Sequence, residues 1–292
     1  MKIEAISERE RNSALDFIAP YENECVNLAN EILRGAQDCY AIMREEKIVG
    51  AFCFRNRRTI FHCLPFTKYK TALDKILCQE TQSPLYEFFA SEKPFCINGE
   101  ASGSLFLKNI FRYKKNPMHA RITNEYFLMR KNPAPKKNTS AFDQSPHSSE
   151  SGFHIFQASP CDEEKIFPLE LAYQIEEVIP PNFALSEKAL RESFKLNLQI
   201  QRIFVLESGG APIAKASIAA DGKNFALLGG IYTLPEFRRK GFAATLIRHI
   251  LHFLSDENKS ASLYVKKKNS AAVKLYKRLG FEQCGEYRLI YF

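Results

Sequence analysis

No stretch of this 292-residue chain approaches the roughly 18–20 consecutive apolar residues needed to span a bilayer, so no membrane role is expected. The opening run MKIEAISERERNSALDF lacks a continuous apolar core and a cleavage pattern, and predicts no signal peptide. Eight cysteines are present, yet none forms Cys-x-x-Cys and no Cys/His cluster has zinc spacing. No metal site is expected, and the cysteines read as buried thiols of a reducing cytoplasm. The chain also lacks G-x-G-x-x-G and Gly-Lys-Ser/Thr, the marks of dinucleotide and Walker-type phosphate loops. Six histidines are present, but no serine or cysteine stands as a partner to any of them, which argues against a His-based nucleophile. The formal net charge is +8, spread along the chain rather than gathered into a basic face with interleaved aromatics, so nucleic acid is not an expected partner.

What is present is the composition of a soluble globular protein, 45% hydrophobic and 25% charged, and enough length for two ordinary domains. Between Lys131 and Gly152 the text turns to Pro, Ser, Asn and Lys without periodicity. It reads as a flexible linker, 131–152, between domains at 1–130 and 153–292. After the linker come a strand (Phe153–Gln157), a helix (Asp162–Val178) and a second helix (Ser186–Leu196). Three strands follow, Arg202–Glu207, Pro212–Ala220 and Phe225–Thr233, then a helix over 241–255, a strand at Ala261–Val265, a helix from Asn269 to Leu279 and a last strand, Phe281–Tyr291. The first 130 residues repeat this order, with helices near 7–18, 22–34, 70–92 and 104–112. Their strands are placed near 39–44, 47–54, 59–64, 94–97 and 122–129. The fold class is therefore α/β (α+β): two tandem modules, each with a mixed, mostly antiparallel sheet flanked by helices.

One stretch organises the second module, LLGGIYTLPEFRRKGFAATL over 227–246. An apolar strand stops at Pro235, and a basic turn, Arg238-Arg239-Lys240-Gly241-Phe242-Ala243, leads directly into a helix. Ala243, Leu246, Ile247, Ile250, Leu251 and Leu254 form the apolar stripe of a helix lying on a sheet, which leaves His249 and His252 facing solvent. Backbone N–H groups at a helix N-terminus lack intrahelical partners and attract an anion. A glycine permits close backbone approach, and three cations add charge. This is a pyrophosphate cradle, or, on the plainer reading, a solvated helix start.

The spacing Arg238-x-x-Gly241-x-Ala243 resembles the coenzyme A signature of the GNAT acetyltransferase superfamily. A second block, LYVKKKNSAAVKLYKRLGF, resembles the same family's strand, Asn, helix, Tyr and Leu-Gly-Phe pattern, with Asn269, Ala272, Tyr276 and Gly280 on one helix face. The resemblance implies two tandem GNAT-like domains, the first degenerate, because no Arg-x-x-Gly loop follows its third strand and its meander. It implies acetyl-CoA as co-substrate and acetyl transfer to a primary amine of a small molecule or peptide by direct attack. Ile231, Tyr232 and Thr233 would then hold the pantetheine chain and the acetyl carbonyl, and residues 238–243 the pyrophosphate, with Asn269 and Ala272 completing the coenzyme site. Tyr276 matches the family's usual general acid. A phenol, pKa about 10 when unperturbed, can protonate a departing thiolate while staying neutral at pH 7. The alternative places Tyr276 in an apolar stripe with Ala272, Leu275 and Leu279. No acid lies on the strand NFALLGGIYT, so Glu176 and Glu177 stand as candidates for binding the amine or relaying its proton. They are otherwise a solvated helix end. Two other readings stay open: a non-catalytic acetyl-CoA sensor, and, more weakly, a tandem protein transferring aminoacyl groups from charged tRNA.

Overall fold

A computed structural model describes residues 1–68, 84–113, 117–133, 152–179 and 186–292. Most of the linker and of the helix expected at 70–92 lies outside the described residues, as does the Pro180-Pro181 stop. Contacts divide the chain into two compact units. The first comprises residues 1–131, 221–225 and 262–292, and the second 132–220 and 226–261. The sequence division placed 262–292 with the second module, whereas these residues pack with the first. The reason is strand pairing, which periodicity cannot foresee: a strand pattern reveals which face is buried, not which edges are occupied.

In the first unit the strands are β1 (Lys2–Ala5), β2 (Cys39–Arg44), β3 (Lys47–Arg55), β4 (Thr59–Cys63), β5 (Cys96–Glu100) and β6 (Ile122–Lys131), joined by β12 (Glu282–Tyr291). Their order is β1-β2-β3-β4-β5-β12-β6. Strands β4 and β5 are parallel, and the other pairs are antiparallel. Strand β12 lies between β5 and β6, with Tyr287 opposite Glu100 on one side and Tyr126 on the other. The short β1 was not anticipated; it has only four residues, three of them exposed.

Strand β3 explains why helices cover both faces. Ala51 and Cys53 point into a core with α1 (Arg11–Ile18) and α2 (Val26–Leu33), whose buried members include Leu15, Ile18, Leu28 and Ile32. Phe52 and Phe54 point the other way, toward Leu85 and Phe89 of α3 (Pro84–Ala90) and Phe106, Leu107 and Phe111 of α4 (Ala101–Tyr113). The period of two places successive side chains on opposite faces, and burying a Phe completely is worth about 2–3 kcal/mol. The hairpin turns Glu45-Glu46 and Asn56-Arg57 hold both central residues at positive φ, the turn geometry that suits strand twist. The turn 221–225 is fixed within this unit by Glu22, which is 2% exposed. Its carboxylate accepts from Asn224 N (2.8 Å), Phe225 N (3.1 Å) and Asn224 Nδ2 (2.6 Å).

In the second unit β7 (Phe153–Gln157), β8 (Arg202–Ser208), β9 (Ala211–Asp221) and β10 (Phe225–Thr233) run in the order β7-β8-β9-β10. Gly209-Gly210, both at positive φ, turn β8 into β9. Helix α5 (Glu163–Tyr173) packs with α6 (Glu187–Ile200), Phe167 meeting Phe194. The turn Gln174–Val178 continues α5 as a π-helix rather than as the α-helix expected to Val178. Strand β10 leads to α7 (Phe242–Asp256). Next in the chain are β11 (Ser260–Lys266) and α8 (Ser270–Arg278), with β11 from Ser262 on and all of α8 belonging to the first unit. The whole is a mixed α/β fold with mostly antiparallel pairing and flanking helices.

The thiols and histidines depart from expectation at several places. Cys25, Cys39, Cys53, Cys63 and Cys96 are buried, but Cys161 is exposed because it lies in the short 3-10 turn ahead of α5. His62 does have a serine partner, Ser104 Oγ at 2.9 Å, brought across by α4. Burial drives its pKa down to about 3, so the ring is neutral, and its Nδ1 has no partner to orient it as a base. His249 is half-buried with its ring against Phe204, while His252 is exposed as expected.

Candidate functional site

The basic turn is built as its sequence implies. Leu234 N donates to Ile213 O at 3.0 Å, and Pro235–Phe237 form one 3-10 turn. The backbone then passes Arg239 at φ +63° and Gly241 at φ +90°. Gly241 caps α7, and Thr245 N donates to its carbonyl at 3.0 Å, which is the first bond of the helix. A Cβ at Gly241 would meet nothing within 4 Å, so the glycine is required by conformation and not by crowding. Arg238, Arg239, Lys240 and Gly241 are exposed, whereas Phe242 and Ala243 are half-buried. Phe242 anchors the turn by edge contacts with Phe153 and Phe237, and Lys240 lies over the Phe237 ring at 5.4 Å. Exposed cations, an uncrowded glycine and a helix start without a side-chain cap fit a phosphate-bearing ligand.

Arg238 is not idle in this geometry. Its Nε donates to Thr233 O (2.9 Å) and its Nη2 to Glu176 Oε2 (2.7 Å). The same carboxylate oxygen accepts from Tyr232 Oη at 2.9 Å. The Arg238 bond, and secondarily the Tyr232 hydroxyl, hold the Glu176 carboxyl below its ordinary range. Tyr232, whose ring the guanidinium overlies at 5.4 Å, is pushed up by burial and then by Glu176. Glu176 therefore contacts the basic turn. Around Glu176 and Glu177 the π-turn exposes Ile175 (58%) and Val178 (47%), an apolar rim beside the carboxylates.

Strand β10 carries the other residues singled out from sequence. Ile231 is half-buried, and Tyr232 and Thr233 are buried. Ahead of them Gly230 has φ +58°, and its carbonyl accepts from Lys215 Nζ at 3.1 Å. The Gly229 carbonyl accepts from Ser217 Oγ at 3.0 Å. Lys215 is itself buried and paired with buried Glu170 at 2.8 Å. Desolvation lowers the Lys215 pKa, and Glu170 opposes that shift. Lys215, Ser217 and Glu170 were not identified from sequence. The signals were a lone lysine in the apolar strand PIAKASIAA and a lone glutamate in the apolar helix FPLELAY.

Asn269, Ala272 and Tyr276 belong to the first unit. Asn269 caps α8, its Oδ1 accepting from Ala272 N at 3.1 Å. Tyr276 is buried, with its ring edge-on to Phe281 and its carbonyl accepting from Phe281 N at 3.0 Å. Among the described residues no three His, Cys, Asp or Glu side chains converge as metal ligands, and no helix is long and apolar enough to cross a membrane.

Residues 169–281 match the family model described as the Acetyltransferase (GNAT) family. A solved Drosophila protein is similar over 99% of this chain and 98% of its own, at 12% identity and a TM-score of 0.60. An acetyltransferase of the GNAT family from Colwellia psychrerythraea is similar over 100% of both chains, at 12% identity and a TM-score of 0.51. These likenesses are of fold alone. A GNAT-family structure from Novosphingobium aromaticivorans shares 20% identity over 59% of this chain, at a TM-score of 0.43, and this chain spans 65% of its length. No curated protein sequence matches the chain.

Proposed function

We propose a transferase function from one premise: residues 169–281 are a domain of the acetyltransferase (GNAT) family. On this reading the protein moves the acetyl group of acetyl-CoA to a primary amine of a small molecule or a peptide, by direct attack. The observation that carries it is the turn Arg238–Gly241 opening α7, with its exposed cations, left-handed glycine and a helix start without a side-chain cap. Those groups would hold the pyrophosphate, with Arg239, Lys240, Phe242 and Ala243 completing the cradle. The backbone of Ile231, Tyr232 and Thr233 would hold the pantetheine chain and polarise the thioester carbonyl. Attack by the neutral amine on that carbonyl expels coenzyme A thiolate, and Tyr276 is the proposed proton donor to it. Asn269 and Ala272 are carried as coenzyme contacts on the family pattern, and Glu176 and Glu177 as groups near the incoming amine. The first module, whose HCLPFTKYKTAL segment has no Arg-x-x-Gly loop, is proposed to hold no coenzyme. We also propose the modules as 1–130 and 153–292, joined by 131–152, and a cytoplasmic setting.

The experiment is thiol release from acetyl-CoA across a panel of small and peptide amines. Amine-dependent release supports the transferase. Tight binding of acetyl-CoA with no release for any amine would make the chain a sensor instead.

Glu176 competes for Arg238 with the phosphate that this reading places there. Replacing it by glutamine removes the carboxylate charge and should raise acetyl-CoA affinity a few-fold, the scale of an exposed ion pair. Because the Glu176 carboxyl is held below its ordinary 4.5, the pair contributes fully above that value. It is lost only as pH falls through the lowered one. Calorimetry at pH 8 and pH 6 should therefore show the same few-fold advantage for Glu176→Gln. An equal or weaker affinity in the variant would mean that the two anions do not compete.

A further inference from the structure

A buried ion pair is an odd thing to find beneath a strand of small residues. The desolvation cost of two charges offsets most of their attraction, so an apolar pair of similar volume would fold as well. Yet Glu170 and Lys215 have side chains 6% and 5% exposed, and Lys215 carries the pair's charge to the backbone of β10. Glu170 Oε1 accepts from Gln174 Nε2 at 2.8 Å, and Oε2 meets Lys215 Nζ at 2.8 Å. The ammonium also lies 4.1 Å from the centre of the Tyr173 ring and donates to Gly230 O at 3.1 Å. Ser217, two residues along β9 and on the same face, donates to Gly229 O at 3.0 Å.

Two consecutive carbonyls are thus held from one side. In a regular strand successive carbonyls point opposite ways, and the left-handed φ of Gly230 is what turns the second toward the first. A trans peptide sets each N–H opposite the preceding C=O. With the Gly229 and Gly230 carbonyls fixed on Ser217 and Lys215, the N–H groups of Gly230 and Ile231 both point away from those side chains. Successive N–H groups on one side of a left-handed kink make a small anion-binding concavity. Residues 229–231 are partly exposed, between buried Leu228 and buried Tyr232. A Cβ at Gly230 would lie 3.1 Å from Lys215 Nζ and 3.2 Å from Ser217 Oγ, so a side chain there would crowd both donors and shift them by a few tenths of an ångström.

We infer that Lys215, held by Glu170, and Ser217 are positioning residues that lock the β10 kink so that the Gly230 and Ile231 N–H groups face the thioester oxygen of the acyl donor. The inference rests on the proposed acetyl transfer and adds to it the groups that set the donors' direction. As the amine adds, the carbonyl π pair moves onto oxygen. The two N–H groups stabilise that oxyanion until it collapses and the C–S bond breaks, with the pair leaving on sulfur. The sulfur takes a proton from Tyr276, while the adduct's ammonium gives one up to water. Neither Lys215 nor Ser217 touches the reacting atoms. They act through the backbone, which need not reorganise when charge develops.

The test uses the full chain carrying Glu170→Leu with Lys215→Met, and separately Ser217→Ala. Removing both charges together avoids leaving either one buried alone. The inference expects kcat to fall about 100-fold in the double variant, the loss seen when one oxyanion donor is removed. For Ser217→Ala the expected fall is about 10-fold. In both, coenzyme A affinity by calorimetry and melting temperature should stay near wild type, since the pyrophosphate cradle lies elsewhere on the chain. Wild-type kcat in the folded double variant would overturn the inference. If the double variant does not fold, Ser217→Ala decides alone by the same split between kcat and affinity. A wild-type protein that releases no thiol defeats the transferase reading instead, and the inference is then judged on amide signals. Those of Gly230 and Ile231 should differ between coenzyme A and acetyl-CoA in wild type, and the difference should shrink in Ser217→Ala. No difference in wild type, or an equal one in the variant, would overturn it.

Discussion

Acetyl-CoA affinity should drop at least about 100-fold when Arg238 becomes Glu and Gly241 becomes Asp in the same chain. Two separate physical effects combine there. Arg238→Glu reverses a charge that would meet the pyrophosphate, and losing one charge-assisted hydrogen bond costs about 1.5–3 kcal/mol before any repulsion is added. Gly241→Asp forces a side chain into φ +90°, a region that penalises a Cβ by about 1–2 kcal/mol, and brings a carboxylate to the helix start where phosphate would dock. The strain is present with or without ligand, so the affinity loss comes from the charge effects. The lost bond and two new repulsions together reach about 3 kcal/mol, hence the factor of 100. Folding should survive, because Arg238 and Gly241 are exposed and nothing lies within 4 Å of a new Cβ at 241. Arg238→Glu does place a second acid beside Glu176, so the melting temperature belongs in the same experiment. Gly241→Ala separates the two effects, since it adds strain without charge and should cost far less. Calorimetry with acetyl-CoA reads all three. Unchanged affinity in a folded double variant would end the cradle assignment, and with it the observation on which the transferase reading stands.

That segment was legible because three local signals agree within 30 residues. Pro235 stops the strand, Gly241 supplies the left-handed cap and the stripe from Leu246 to Leu254 marks the buried face of α7. The turn between the strands expected at 202–207 and 212–220 falls at Gly209-Gly210, where glycine accepts positive φ. Glu45-Glu46 adopts a similar turn without glycine, held by the strands on either side. Long-range choices left weaker traces. Nothing in EQCGEYRLIY says that it pairs with both β5 and β6 of the first unit, because its alternation is satisfied by any two antiparallel neighbours. The partners of charged side chains were also hidden. Glu176 reads as an exposed helix end, and only the π-turn after Tyr173 brings it to Arg238. Glu170 and Lys215 lie 45 positions apart, each a single polar residue in an apolar run, where local pattern gives no hint that one answers the other.

Tyr276→Phe tests chemistry rather than binding, and turnover should fall about 100-fold or more, within the range for a general acid. The substitution deletes one oxygen and keeps the ring, so the contact with Phe281 remains. The Tyr276 carbonyl continues to accept from Phe281 N, and Asn269 continues to cap α8 through Ala272 N. Acetyl-CoA affinity should accordingly stay within a few-fold of wild type. A purely structural tyrosine behaves in the opposite way. It is buried, 7% exposed, and makes contacts that its hydroxyl could serve, so its loss would lower the melting temperature and leave kcat within a few-fold. The two roles therefore separate on different axes of one experiment. A matched fall in kcat and kcat/KM with coenzyme affinity preserved marks an interaction made only in the transition state. The leaving group supplies the sharper discrimination. If Tyr276 protonates the departing thiolate, an acyl donor whose thiol is more acidic needs that proton less, and the deficit of Tyr276→Phe should shrink with such a donor. A deficit that stays constant as the thiol becomes more acidic would place the tyrosine elsewhere in the reaction. A kcat unchanged with acetyl-CoA itself would remove it from the chemistry and leave the thiolate to be protonated by solvent.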